Sequence, residues 1–152
     1  MTAGICGVAA PIPDEHRVWR RAMASLHWHT WDSDRQRWLP RGNTVDFDPE
    51  LSTVWADHME STHGAGPGSA LDGYDRYTLV FEVGVSACRA IRCQVTHSPD
   101  GPCPLACAHT LVSMPPEVST AHRKEIKSIR MALGRAMSLV YGTITAPPPP
   151  GA

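Results

Sequence analysis

The sequence predicts an α+β protein: a small, mostly antiparallel sheet packed against a C-terminal amphipathic helix, with a short helix near the N-terminus. Two patterns carry most of this reading. Tyr77, Leu79, Phe81, Val83 and Val85 alternate with Thr78, Glu82 and Gly84, the two-residue period of a half-buried strand. Later, Ile126, Ile129, Leu133, Met137 and Val140 recur at three- and four-residue spacing, which places them on one stripe of a helix.

Taken in order, residues 1–12 read as a flexible leader. Trp19, Ala22, Met23 and Leu26 then fall at helical spacing behind Pro13 and Asp14, predicting a short helix over Asp14–Ser25. Leu26–Trp31 alternates aromatic and β-branched residues with histidines and reads as a strand. Pro40, Gly42 and Pro49 punctuate residues 37–56, leaving short extended pieces at Thr44–Phe47 and Leu51–Trp55. Residues 61–75 are rich in Gly and Ser and read as a flexible loop. They lack the lysine and the feeding strand of a phosphate-binding loop.

After the Tyr77–Val85 strand, Ile91, Cys93 and Val95 alternate with polar residues and suggest a second. The nearly uncharged Ala106–Met114 suggests a third, central strand. Pro115 and Pro116 close it, and Ser119 or Thr120 can cap a helix running to Tyr141, with Gly142 as its stop. Residues 143–152 form a Pro-rich tail that cannot pack.

A chain of 152 residues fits a single domain, here residues 13–142. Fourteen basic residues against fifteen acidic ones do not make the basic face that grips a nucleic-acid backbone, so no nucleic-acid partner is expected. No apolar run is long enough to cross a bilayer, and the first residues lack the basic flank of a secretory signal. The cysteine count, five, is odd, unlike a secreted disulfide framework. These features together predict a bacterial cytoplasmic protein.

Several short motifs, spread over residues 26–142, resemble a group of small uncharacterised bacterial domains of actinobacterial type. The resemblance rests on the Leu-aromatic strand Leu26–Trp31, the polar-then-Phe segment Asn43–Phe47, Leu51-Ser52-Thr53 in place of the group's Leu-Ser-Val, and Ala108-His109 in place of its Ala-His-Ala. The chain departs from the pattern where His27, Trp28 and His29 replace an expected arginine and where Asn43-Thr44 replaces a Ser-Ser pair. The resemblance implies a fold and supplies no reaction.

Four sets of residues are candidates for a site. His109 with Ser52, His27, His29 and Asp46 supplies the residue types of nucleophilic catalysis, a hydroxyl, an imidazole base and a carboxylate, although no Gly-x-Ser-x-Gly elbow is present. His27 and His29, two apart on a strand, could share a ligand. Cys93, Cys103, Cys107 and His109 are sulfur and imidazole ligands of the kind zinc prefers, but without a Cys-x-x-Cys pair the plainer reading is small buried thiols. The basic face of the last helix, Lys124, Lys127 and Arg130 with Arg123, is diluted by Glu117 and Glu125.

With no complete catalytic signature, the leading expectation is a non-catalytic accessory or interaction module working with a protein partner. The alternatives are a small hydrolase- or transferase-like enzyme with a His-centred pocket, and a Cys/His zinc-binding protein. Otherwise no cofactor is expected.

Overall fold

The computed structural model describes residues 8–25, 28–46, 50–101, 104–118 and 122–144. Its strands are β1 (Arg17–Ala22), β2 (His29–Asp32), β3 (Arg37–Pro40), β4 (Glu50–Trp55), β5 (Leu79–Gly84), β6 (Gln94–His97), β7 (His109–Ser113) and β8 (Ser138–Tyr141), and its helices are α1 (Ala56–His63), α2 (Val85–Ala90) and α3 (Arg123–Ala136). Six strands form one sheet in the order β6-β7-β4-β1-β5-β8, every pair antiparallel. β2 and β3 form a separate hairpin. The architecture is the α+β one expected, with its sheet, its C-terminal helix and its β5 and β7 strands where the alternation puts them.

The N-terminal helix is a correction. Residues 17–22 form β1, a central strand paired with both β4 and β5. Val18, Trp19, Arg21 and Ala22 are all buried, because both faces of the sheet are covered at this point. A strand buried on both faces loses its two-residue period, and its apolar residues then mimic helical spacing.

The register sorts the side chains into two faces. Val18, Arg20 and Ala22 of β1 share a face with Val83, Phe81 and Leu79 of β5 and with Trp55 of β4. The β2–β3 hairpin lies on this face, with the His29 ring 5.9 Å from that of Phe81. α3 packs on β3 of this hairpin and on α2. Ile129 and Leu133 are buried there, each such side chain contributing roughly 1.5–3 kcal/mol of transfer free energy. The approach is close: a Cβ on Gly134 would lie 2.8 Å from the Pro40 carbonyl oxygen. The helix ends at Ala136 rather than Tyr141, and the chain returns as β8 along the sheet edge.

On the opposite face, α1 and a 3-10 turn at Pro67–Leu71 cover β1 and β5. The Arg17 backbone N–H donates to Asp57 Oδ1 at 2.7 Å, and its guanidinium pairs with Glu82 at 2.8 Å and with Glu60. Arg21 donates to the Ala70 carbonyl and stacks over Tyr74 at 3.8 Å. Within the Gly/Ser-rich stretch 61–75, α1 ends at His63 and the turn Pro67–Leu71 packs over the sheet. In that turn Gly68 is required by packing: a Cβ there would sit 2.6 Å from the Tyr141 ring. The leader's described part also packs, since Ile12 is buried and the Ala10 N–H donates to His97 Nδ1 at 3.0 Å. Residues 1–7 and 145–152 lie outside the described residues.

The cover stops short of β6 and β7. Along β4, β7 and β6, Leu51, Thr53, Val112, Thr110, Val95 and His97 are buried, while their alternating neighbours Glu50, Ser52, His109, Leu111, Ser113, Gln94 and Thr96 are half-buried or exposed. Half of one sheet face is thus open to solvent.

Candidate active site on the open half of the sheet

The β4–β7 register pairs Ser52 with Leu111 and Val54 with His109, so Ser52 and His109 are diagonal neighbours on the open face. Ser52 Oγ lies 2.9 Å from His109 Nε2. On the other side of the ring, Nδ1 lies 2.8 Å from the Ser98 carbonyl oxygen. A carbonyl can only accept, so Nδ1 carries the proton. In the neutral ring Nε2 is then a lone-pair acceptor, and the Ser52 hydroxyl donates to it. A hydroxyl donating to a neutral imidazole nitrogen is the geometry that nucleophilic catalysis by serine would require.

The turn between β6 and β7 fixes the orienting groups. Ser98 N–H donates to the His109 carbonyl at 2.9 Å and Asp100 N–H to Ala106 at 3.0 Å, which brings Asp100 Oδ2 to 3.5 Å from His109 Nδ1. That carboxylate is 58% exposed, so its field on the ring is screened by water. Ser52 is held from behind, where its carbonyl accepts from Arg20 Nη1 at 3.0 Å. Burial pushes Arg20 down to about 10.

Of the residues singled out in the sequence, Ser52 and His109 come together, while the described His29 and Asp46 lie elsewhere. His29 is buried on the far face of the sheet, its Nε2 donating to the Met23 carbonyl at 3.0 Å; burial first, then Arg41, holds it below the usual histidine range. Asp46 pairs with Arg130 at 2.6 Å. His27 and Cys103 lie outside the described residues. Cys107 is disulfide-bonded. Cys88 and Cys93 are free and buried, and burial pushes them up to about 12 and about 11. Burial disfavours the charged thiolate in both. Among the described residues no group of three or more His, Cys, Asp or Glu side chains is arranged to hold a metal.

Sequence reading missed Ser98 and Asp100. The signal was the turn Ser98-Pro99-Asp100-Gly101 between two alternating segments, which predicts a hairpin and so brings these residues back beside His109. It also missed a cluster beside the same end of β4, where His16, His58 and His97 surround Trp55 with ring centroids at 5.8, 5.6 and 5.0 Å.

No family model matches the chain, and no curated protein or solved structure is significantly similar to it. Among the described residues no helix is long and apolar enough to cross a membrane.

Proposed function

We propose that the protein is a small serine hydrolase or acyl transferase in which Ser52 is the nucleophile and His109 the general base. The observation that carries this reading is the one-directional chain Ser52 Oγ to His109 Nε2 at 2.9 Å and His109 Nδ1 to Ser98 O at 2.8 Å. As Ser52 Oγ bonds to an acyl carbon, its proton passes to Nε2 and the carbonyl π electrons move onto oxygen. The imidazolium is held by the Ser98 carbonyl and the nearby Asp100 carboxylate. Collapse expels the alcohol, amine or thiol, which takes the proton from Nε2. Water, deprotonated by the same nitrogen, then attacks the acyl carbon, and as the acid leaves, the proton returns from Nε2 to Ser52 Oγ. The pair lies on a half-buried face with Leu111 and Ser113 beside it.

A fluorophosphonate probe tests this directly, because the serine oxygen displaces fluoride and leaves a covalent phosphonate readable by intact mass. The expected result is one adduct on the native protein, at Ser52, and none on Ser52→Ala or His109→Asn. A folded native protein that stays unlabelled contradicts the proposal.

A second reading, a non-catalytic module that binds a protein partner, is favoured by a separate observation. Leu139, Val140 and Tyr141 of the edge strand β8 are 38%, 36% and 47% exposed. An apolar edge of this kind is suited to strand addition by a partner. Retained partner capture by Ser52→Ala, with capture lost on Val140→Pro, supports this reading.

A further inference from the structure

On the hairpin side, away from the serine–histidine pair, lies a cavity of about 710 Å³ between β2–β3, residues 41–46 and α3. This volume falls in the range of small-molecule sites, roughly 300–1,000 Å³. α3 contributes Lys127, Arg130, Met131, Gly134 and Arg135, at positions i, i+3, i+4, i+7 and i+8. They form one continuous stripe of the helix, different from the stripe that buries Ile129 and Leu133. Gly134 brings this stripe against the Pro40 carbonyl, so the cavity has a fixed wall.

We propose that this cavity binds a small amphipathic oxyanion, a molecule with an apolar body and a single carboxylate or phosphate head. Two of its lining residues bring N–H groups that are buried and lack an acceptor among the described residues, Trp31 Nε1 and Arg130 Nε. Both groups can only donate and are shielded from solvent; the donors a ligand's oxygens would meet at the cavity surface are the exposed cations Lys127 and Arg135.

The charges agree in sign. Five cationic side chains line the cavity against three carboxylates. Asp32 is paired with Arg35 at 3.4 Å and Asp46 with Arg130 at 2.6 Å. Among the described residues the Lys127 and Arg135 side chains have no ion-pair partner, and Asp34 is the remaining carboxylate. Met131, Leu39 and Val45, together with the Trp31 indole, form the apolar bed. An apolar bed with a few convergent donors is the usual composition of a ligand site.

The test is a titration followed by the Trp31 indole N–H signal in a two-dimensional ¹H–¹⁵N spectrum, assigned with Trp31→Phe. The probes are 1-naphthyl phosphate, decanoate and, as an uncharged control, 1-naphthol. A saturable shift with either anion, no comparable shift with 1-naphthol, and at least ten-fold weaker binding to the Lys127→Gln/Arg135→Gln variant are the expected results. The tighter of the two anions identifies the head group. Both substituted side chains lie at the surface, so this variant retains its fold, which the spectrum itself reports. Absence of a shift with both anions overturns the proposal, as does an equal response to 1-naphthol that is unchanged in the variant. Because the fluorophosphonate result does not depend on this cavity, the two proposals fail separately.

Discussion

Strands β4 and β7 carry two hydroxyl-centred pairs, one residue apart and on opposite faces. Thr53 Oγ1 and Thr110 Oγ1 lie 2.6 Å apart with neither residue exposed. Ser52 Oγ and His109 Nε2 lie 2.9 Å apart on the half-open face. The two threonine hydroxyls satisfy one another and the Thr110 carbonyl, so the first pair is closed, with no proton acceptor to spare and no route to solvent. The second pair has a base whose tautomer is fixed from behind and whose partner a substrate could reach. The difference teaches that a closed, buried hydroxyl pair and a half-exposed hydroxyl–imidazole pair can be built from the same pairing geometry. What separates them is an acceptor with an oriented lone pair and a missing layer of cover.

The largest expected effect separates the two pairs. Ser52→Ala should lower any acyl-transfer or ester-hydrolysis rate by about 1,000-fold or more, while changing stability by less than about 0.5 kcal/mol, as for a half-exposed site. Parallel rate assays and urea melts check this.

The closed pair should behave in the opposite way. Thr110→Val leaves the Thr53 hydroxyl without one of its buried partners and should cost about 1–3 kcal/mol of stability with no change in fluorophosphonate labelling. The double variant Thr53→Val/Thr110→Val should cost less than the sum of the singles, since the second substitution removes the stranded group. A double-mutant cycle in urea measures the coupling.

A third prediction concerns pH. His58 is held below the usual histidine range by burial first, then by its neighbours His63 and His97, and His29 is shifted the same way. As pH falls below about 6.5 the unfolded chain takes up these protons more readily than the folded one, so it binds more protons and stability falls. The loss begins at the unfolded value and continues down to the lower folded values. Melts at pH 7.5 and 5.5 should show a lower midpoint at the acid end, reduced in His58→Phe.

The smallest effect is expected at Asp100. Its carboxylate is screened and lies beyond hydrogen-bond distance, while the Ser98 carbonyl already fixes the ring. Asp100→Asn should therefore slow labelling by only about two- to five-fold, the scale of a screened surface charge.

The same contrast explains what the sequence made legible. β5 and β7 could be read because each has at least one face with a clear boundary between buried and polar positions. β1 could not, because Trp19 and Val18 are buried on opposite sides and erase the period. The short helix α2 was missed because Val85 continues the apolar alternation of β5 and gives no sign that the backbone turns at Gly84. The pairing of Ser52 with His109 could be anticipated only as compatible residue types. Their contact depends on the β4–β7 register, and that register joins segments 57 residues apart. His29 was grouped with them because composition cannot tell which side of a sheet a histidine faces.

The most direct test of the central claim is the tautomer of His109, read from long-range ¹H–¹⁵N couplings of its ring at neutral pH. A ring with its proton on Nδ1 and a bare Nε2 is the predicted result, lost from the pattern when Ser98 can no longer present its carbonyl. A proton resident on Nε2 would mean that His109 donates to Ser52 instead of accepting from it, and would contradict the account.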